Sequence, residues 1–334
     1  MGDTTEEVPR MPRRGTTPGM RARRILSEMP GAIWQTDLEN RKFWACGKTA
    51  QTLPPGYYSV LWEPNIGRYL SREDLSLDEL VRPGSLALDE LLVGLSKFWD
   101  SSETFKKLGL VHKRGVLLYG PAGSGKSSLC LLIAADVIAR GGVVVKFRPA
   151  GEVGPGDIVR VLHEIRQRQE DTPIVVLMED IDQYMSDHQS ESVVLNLIDG
   201  ADSIEKAVFV ATTNFAEELG DRIANRPSRF DWRILVGPAS REDRWTLLSS
   251  LYRRAELGAP DESWIDDTEG FTMADLKELF ILVHVFNGDY QASLAKVREL
   301  ADKLRDSQRR STPIGFQRPE TATGRSRRAH VSRR

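Results

Sequence analysis

The run Gly120-Pro121-Ala122-Gly123-Ser124-Gly125-Lys126-Ser127 carries the densest chemistry in the chain. Its glycines let the backbone curl so that successive N–H groups point inward, and a helix opening behind it would add partial positive charge. Lys126 can reach the β- and γ-phosphates of a nucleoside triphosphate, and the Ser127 hydroxyl can take a place on Mg²⁺. Such a loop needs a buried strand before it and a helix after it. The apolar run Val116-Leu117-Leu118-Tyr119 supplies the strand, and Ser128-Leu129-Cys130-Leu131-Leu132-Ile133-Ala134-Ala135 supplies the helix. The spacing therefore predicts a site for a nucleoside triphosphate and Mg²⁺ built on Gly120 through Ser128.

Acids follow where such a site needs them. The strand-like run Ile174-Val175-Val176-Leu177-Met178 ends in Glu179-Asp180-Ile181-Asp182. One carboxylate can hold the water shell of the metal while its neighbour polarises the attacking water. A further run, Val208-Phe209-Val210-Ala211-Thr212, ends in Thr213-Asn214. Asn214 carries both a donor and an acceptor, which suits a water beside the γ-phosphate. Then Asn225-Arg226-Pro227-Ser228-Arg229-Phe230-Asp231 presents two guanidinium groups across a proline. They can stabilise charge developing on a transferring phosphoryl group. An intrachain ion pair to Asp221 or Asp231 is the other use open to them.

The elements around these residues alternate. Strands are expected over 115–119, 143–147, 174–178, 207–212 and 233–236, with helices over 86–112, 127–140, 157–169 and 192–198. Alternation of this kind implies a mostly parallel sheet covered on both faces, an α/β core. From Pro238 the pattern turns helical, over 241–255, 274–285 and 291–304, as a second subdomain. Residues 25–85 hold Trp34, Phe43, Trp44, Tyr57, Tyr58 and Trp62 between turn signals, which predicts a small β-containing domain. Its aromatics are expected to fill a small core, with a docking surface as the other reading. The expected order is a tail over 1–24, this domain over 25–85, the nucleotide-binding domain over 86–238, a helical lid over 239–306 and a basic tail over 307–334.

Composition sets outer bounds. Of the 334 residues, 40% are hydrophobic and 28% charged, enough for a sizeable core, and the net charge is −2. Arginines 309, 310, 318, 325, 327, 328, 333 and 334 oppose Glu320 alone in the tail, so the rest of the chain is net acidic. Cys46 and Cys130 offer neither a disulfide framework nor a zinc spacing. No run reaches the roughly 18 apolar residues of a membrane span, and the first residues lack a signal-peptide core. A cytoplasmic protein is expected.

Taken in order, the phosphate loop, acidic strand end, Asn-ended strand and paired arginines resemble the AAA family of ATPases. Gly115-Val116-Leu117-Leu118-Tyr119-Gly120-Pro121, Leu195-Asn196-Leu197-Ile198-Asp199-Gly200 and Met273-Ala274-Asp275-Leu276 add to the resemblance, which spans residues 86–304. It implies a P-loop NTPase core with a helical lid, assembled as a ring, usually a hexamer, with each nucleotide at a subunit interface. By position it makes Glu179 the metal-site acid beside Ser127, Asp180 the catalytic acid, Asn214 the γ-phosphate sensor, and Arg226 and Arg229 fingers that enter the neighbouring site. Three positions depart from the family pattern. Glu179 precedes Asp180 where the family has Asp then Glu, an order similar to the mitochondrial inner-membrane translocase branch, and it leaves the two roles exchangeable. Met273 replaces a small residue in the lid signature. The segment 148–156, where protein-threading members carry an aromatic, holds none. The expected function is ATP-driven remodelling or translocation of a protein or protein complex. A nucleic-acid-associated ATPase using the Arg-rich tail, and a ring that binds ATP for assembly with little turnover, are the alternatives.

Overall fold

The computed structural model describes residues 34–37, 42–45, 52–64, 67–75, 86–185, 188–199, 204–215 and 229–310. Strands β1 (Trp34–Asp37) and β2 (Lys42–Ala45) form an antiparallel pair of their own. The main sheet has seven strands: β3 (Gly56–Glu63), β4 (Gly67–Glu73), β5 (Lys113–Tyr119), β6 (Val143–Lys146), β7 (Ile174–Met178), β8 (Ala207–Thr213) and β9 (Trp232–Leu235). Their spatial order is β4-β3-β6-β7-β8-β5-β9, and every pair except β3–β4 is parallel.

Alternate residues of a strand leave the sheet on opposite sides, so a sheet covered on both faces needs apolar residues at every position. β7 meets that demand, with all five of its residues buried. Val116, Leu118, Val175, Leu177 and Val208 pack with side chains of α1 (Leu86–Asp100), α2 (Ser102–Lys107) and α3 (Lys126–Ala139). Leu117, Val143, Val176, Met178 and Phe209 face the other way. They meet α4 (Pro155–Arg168), the single turn α5 (Asp182–Met185) and α6 (His188–Asp199). Each aliphatic side chain so buried contributes about 1.5–3 kcal/mol. The α/β core with helices on both faces is the expected one.

The segment 56–73, expected within a separate small domain, lies in the main sheet instead. β3 runs parallel to β6, from Gly56 opposite Val143 to Ser59 opposite Lys146. The reason lies in β6, whose valines have no exposure at all. Left at the edge, that strand would offer unpaired backbone groups along an apolar run. Arg68 on β4 fastens the hairpin to α4 through ion pairs with Asp157 and Glu164. Tyr57 and Tyr58 enter the core on opposite faces, whereas Trp62 is exposed. Side chains of Trp34, Phe43 and Trp44 lie outside the described residues.

The expected helix over 86–112 ends earlier: α1 and α2 stop at Lys107, and β5 begins at Lys113. Beyond β9 the chain is helical, as α7 (Arg241–Arg254), α8 (Glu262–Asp267), α9 (Met273–Phe280) and α10 (Tyr290–Arg310). The helix expected over 274–285 changes after Phe280 to a π turn, Ile281–Val285. These helices close around a core of their own that includes Leu248, Trp264, Phe271, Leu276 and Leu279. Ser240 and Thr272 cap α7 and α9 in reciprocal boxes with Asp243 and Asp275. Such caps fix where a helix starts and contribute ~0.5–2 kcal/mol each.

Candidate nucleotide site

Three adjacent strands deliver the site at their C-terminal ends, where open α/β sheets hold ligands. The register aligns Leu117 of β5, Ala211 of β8 and Met178 of β7 in one row. The phosphate loop, Asn214 and Glu179 therefore leave the sheet side by side.

The loop depends on glycine. Gly120, Gly123 and Gly125 have φ of 143°, 76° and 103°, in the region that side chains disfavour. A Cβ at Gly120 would lie 2.2 Å from the Val236 carbonyl oxygen. Gly125 serves as the N-cap of α3 without a side-chain cap, so the first N–H groups of that helix remain available to an anion. The lid reaches the same loop. Ala274 at the start of α9 donates its N–H to the Gly123 carbonyl at 3.1 Å, and a Cβ at Gly123 would stand 2.7 Å from the Ala274 Cβ.

Lys126 is buried at the start of α3. Its Nζ donates to the carbonyls of Gly120 at 2.8 Å and Pro121 at 2.9 Å, and to Asn214 Oδ1 at 2.6 Å. Burial lowers its pKa, opposed by the charges of Asp180 and Asp182. Ser127 Oγ, at the exposed mouth of the loop, donates to Glu179 Oε2 at 3.3 Å. Asp180 has φ 48°, a turn out of β7 fixed by the bond from its N–H to Thr212 Oγ1 at 3.0 Å. Among the other expected residues, Ala122 is exposed and Ser128 lies half-buried in the first turn of α3.

Arg229 stands apart from this cluster. Arg226 lies outside the described residues. Arg229 is buried, with Nε 3.7 Å from Asp199 Oδ2 at the end of α6, while Asp221 lies outside the described residues. Asp231 instead pairs with Arg114 and accepts from the Gly115 N–H. Sequence reasoning missed Asp182, which accepts from Thr213 Oγ1 at 2.8 Å and holds the turn after β7 against that after β8. Its signal was the third acid of the run Glu179-Asp180-Ile181-Asp182.

Hard oxygen donors suit Mg²⁺, and Ser127 with Glu179 supplies a hydroxyl and a carboxylate side by side next to a loop of backbone donors. Phosphates against the loop, Lys126 at their end and an acid within reach form an arrangement competent for phosphoryl transfer to water. Among the described residues no helix is long and apolar enough to cross a membrane.

Comparison with known proteins agrees with this geometry. Residues 116–238 match the family described as "ATPase family associated with various cellular activities (AAA)". The ATPase family gene 2 protein of Saccharomyces cerevisiae is 31% identical over 193 residues, 53% of this chain and 24% of that protein. The probable mitochondrial chaperone bcs1 of Schizosaccharomyces pombe is 27% identical over 307 residues, 87% of this chain and 63% of that protein. The proteasome-activating nucleotidase of Aeropyrum pernix is 32% identical over 194 residues, 53% of this chain and 46% of that protein. The chain thus spans less than two thirds of the length of each of these relatives. The matched residues hold the phosphate loop, the acidic strand end and the Asn-ended strand, so the segment 116–238 carries the AAA domain.

Proposed function

We propose that the chain hydrolyses ATP with Mg²⁺ and works as one subunit of a hexameric ring that remodels or translocates a protein or protein complex. The observation that carries the chemistry is the meeting of Lys126, Ser127, Glu179 and Asn214 at the ends of adjacent strands. Ser127 and Glu179 would hold Mg²⁺, which when bound neutralises charge on the phosphate oxygens. The contact between them favours Glu179 as the metal-side acid and leaves Asp180, turned out of the strand, to polarise the attacking water. Asn214 orients that water. Lys126 exchanges the Gly120 and Pro121 carbonyls for phosphate oxygens as nucleotide enters. Relatives named as a chaperone and a proteasome-activating nucleotidase support a protein as the object of the work. Arg226 and Arg229 would act on the neighbouring subunit's nucleotide.

The acid pair tests this reading. Asp180→Asn should bind Mg-ATP with near-normal affinity yet release phosphate at least ~10²-fold more slowly, the scale of lost general-base assistance. Glu179→Gln should lose the Mg²⁺ dependence of nucleotide binding. Normal turnover in both variants would reduce the strand end to a structural feature.

A further inference from the structure

β8 is buried along its whole length, and its first five residues, Ala207 to Ala211, are apolar as such a strand requires. Its last two are Thr212 and Thr213, 3% and 0% exposed. Valine has nearly the same shape and brings no hydroxyl that must find a partner in the interior. The two hydroxyls therefore need an account, and their partners give one.

Both reach into the turn that follows β7. Thr212 Oγ1 accepts from the Asp180 N–H at 3.0 Å, and the Thr212 carbonyl accepts from the Ile181 N–H at 2.9 Å. These bonds hold Asp180 at φ 48°, a conformation that residues with a side chain disfavour unless something fixes it. Rotation about that N–Cα bond would swing the Asp180 carboxylate relative to Glu179. Thr213 acts on the turn after its own strand. Its Oγ1 donates to Asp182 Oδ1 at 2.8 Å and accepts from the Phe215 N–H at 3.0 Å. The second bond brackets Asn214, whose Oδ1 accepts from Lys126 Nζ at 2.6 Å.

We propose that the two threonines ending β8 are positioning residues for hydrolysis: Thr212 aims Asp180, and Thr213, anchored on Asp182, aims Asn214. The inference rests on the roles given to Asp180 and Asn214 above. Both threonines are buried, so each acts through its neighbour and not on nucleotide. A base and a held water must be aligned on the reacting atoms, where a misplacement of about 1 Å costs on the order of 10²-fold in rate. Binding of ATP rests on the phosphate loop, so lost aim falls on turnover and spares affinity.

Thr212→Val keeps the shape and deletes the hydroxyl. In the full chain with Mg²⁺, single-turnover phosphate release should slow about ten- to hundredfold while calorimetric ATP affinity stays within about twofold. Thr212→Ser restores the hydroxyl and should recover most of the rate. A double-mutant cycle with Asp180→Asn gives a reading that a packing role would not produce. Once Asp180 cannot take a proton, Thr212→Val should slow release by no more than about twofold further. Thr213→Val should depend in the same way on Asn214→Ala. Where Thr212→Val does not fold, Thr212→Ala, which cannot overpack, is read through the same cycle. Native turnover without the Thr212 hydroxyl, or an equal further loss in the Asp180→Asn background, overturns the inference and leaves Asp180 its role. A defect that Thr212→Ser shares with Thr212→Val overturns it too, because the methyl and its packing would be the cause. Independent losses from Thr213→Val and Asn214→Ala overturn the part given to Thr213. Normal turnover in Asp180→Asn removes instead the role on which the inference rests.

Discussion

Lys126 spends its charge inside the loop it serves. Three oxygens of the chain itself, from Gly120, Pro121 and Asn214, satisfy its Nζ, and burial still pushes its pKa down. A cation held at such cost is poised for a better anion than carbonyl dipoles. Lys126→Met removes the charge and retains the packing of the stem. The variant should therefore melt at the same temperature as the native chain, or slightly higher, when no nucleotide is present. Its affinity for ATP should fall by about tenfold to a hundredfold, the loss expected when a charge-assisted hydrogen bond disappears. Calorimetry and thermal melting with and without ATP check both halves. A native-like stabilisation by ATP would show that Lys126 does not meet the phosphates. The residues of this cluster were legible in the sequence because each is set by spacing along one strand and its following turn. Glycines at positive φ, a lysine at a helix start and acids after an apolar run are local facts. What spacing left open was the roles of the two acids, and the contact from Ser127 to Glu179 is a through-space fact between the start of α3 and the end of β7.

At the scale of elements, the local rules gave the strands and helices of the core, and tertiary contacts decided the rest. The hairpin β3–β4 reads as a separate unit in sequence because its own pattern is complete. Its place beside β6 follows from the need to cover a strand nearly 90 residues further on, which no local window contains. Two glycines hold such junctions together. At Gly123 the lid docks through Ala274, and at Gly115 the segment after Ser228 crosses β5. A Cβ on Gly115 would stand 1.7 Å from the Arg229 carbonyl oxygen and 3.0 Å from the Phe230 Cα. The facing atoms are all backbone, which leaves nothing flexible to yield. Gly115→Ala should therefore destabilise the fold by about 1–3 kcal/mol or more, the cost of overpacking a close contact. It should also displace Arg229 and lower ATP turnover more than ATP binding. Urea unfolding together with phosphate-release kinetics measures the two effects. Unaltered stability would mean that the crossing is looser than its geometry indicates.

At the scale of the whole molecule, the question is where Arg229 works. Within one chain its guanidinium lies by Asp199, and Lys113 binds the other oxygen of the same carboxylate at 3.8 Å. That arrangement is a sound structural role, because a buried charge needs a partner. Among the described residues, it also leaves Lys126 as the one cation gathered at the loop, although developing charge in phosphoryl transfer is best met by a second one. A neighbouring subunit could supply it. If it does, Arg229→Ala should bind ATP nearly as well as the native chain and hydrolyse it on the order of 10³-fold more slowly, since the contact matters most in the transition state. Mixing this variant with subunits carrying Glu179→Gln and Asp180→Asn should then restore part of the activity. In a mixed ring, an intact acid pair can face an intact arginine from the adjacent subunit. A purely internal role makes the opposite forecast. Arg229→Ala would unfold more easily, Asp199→Asn would reproduce its defect, and mixing would rescue nothing. Native mass spectrometry can verify that mixed assemblies have formed, so absence of rescue in their presence would place Arg229 in its own chain and remove the shared site from the mechanism.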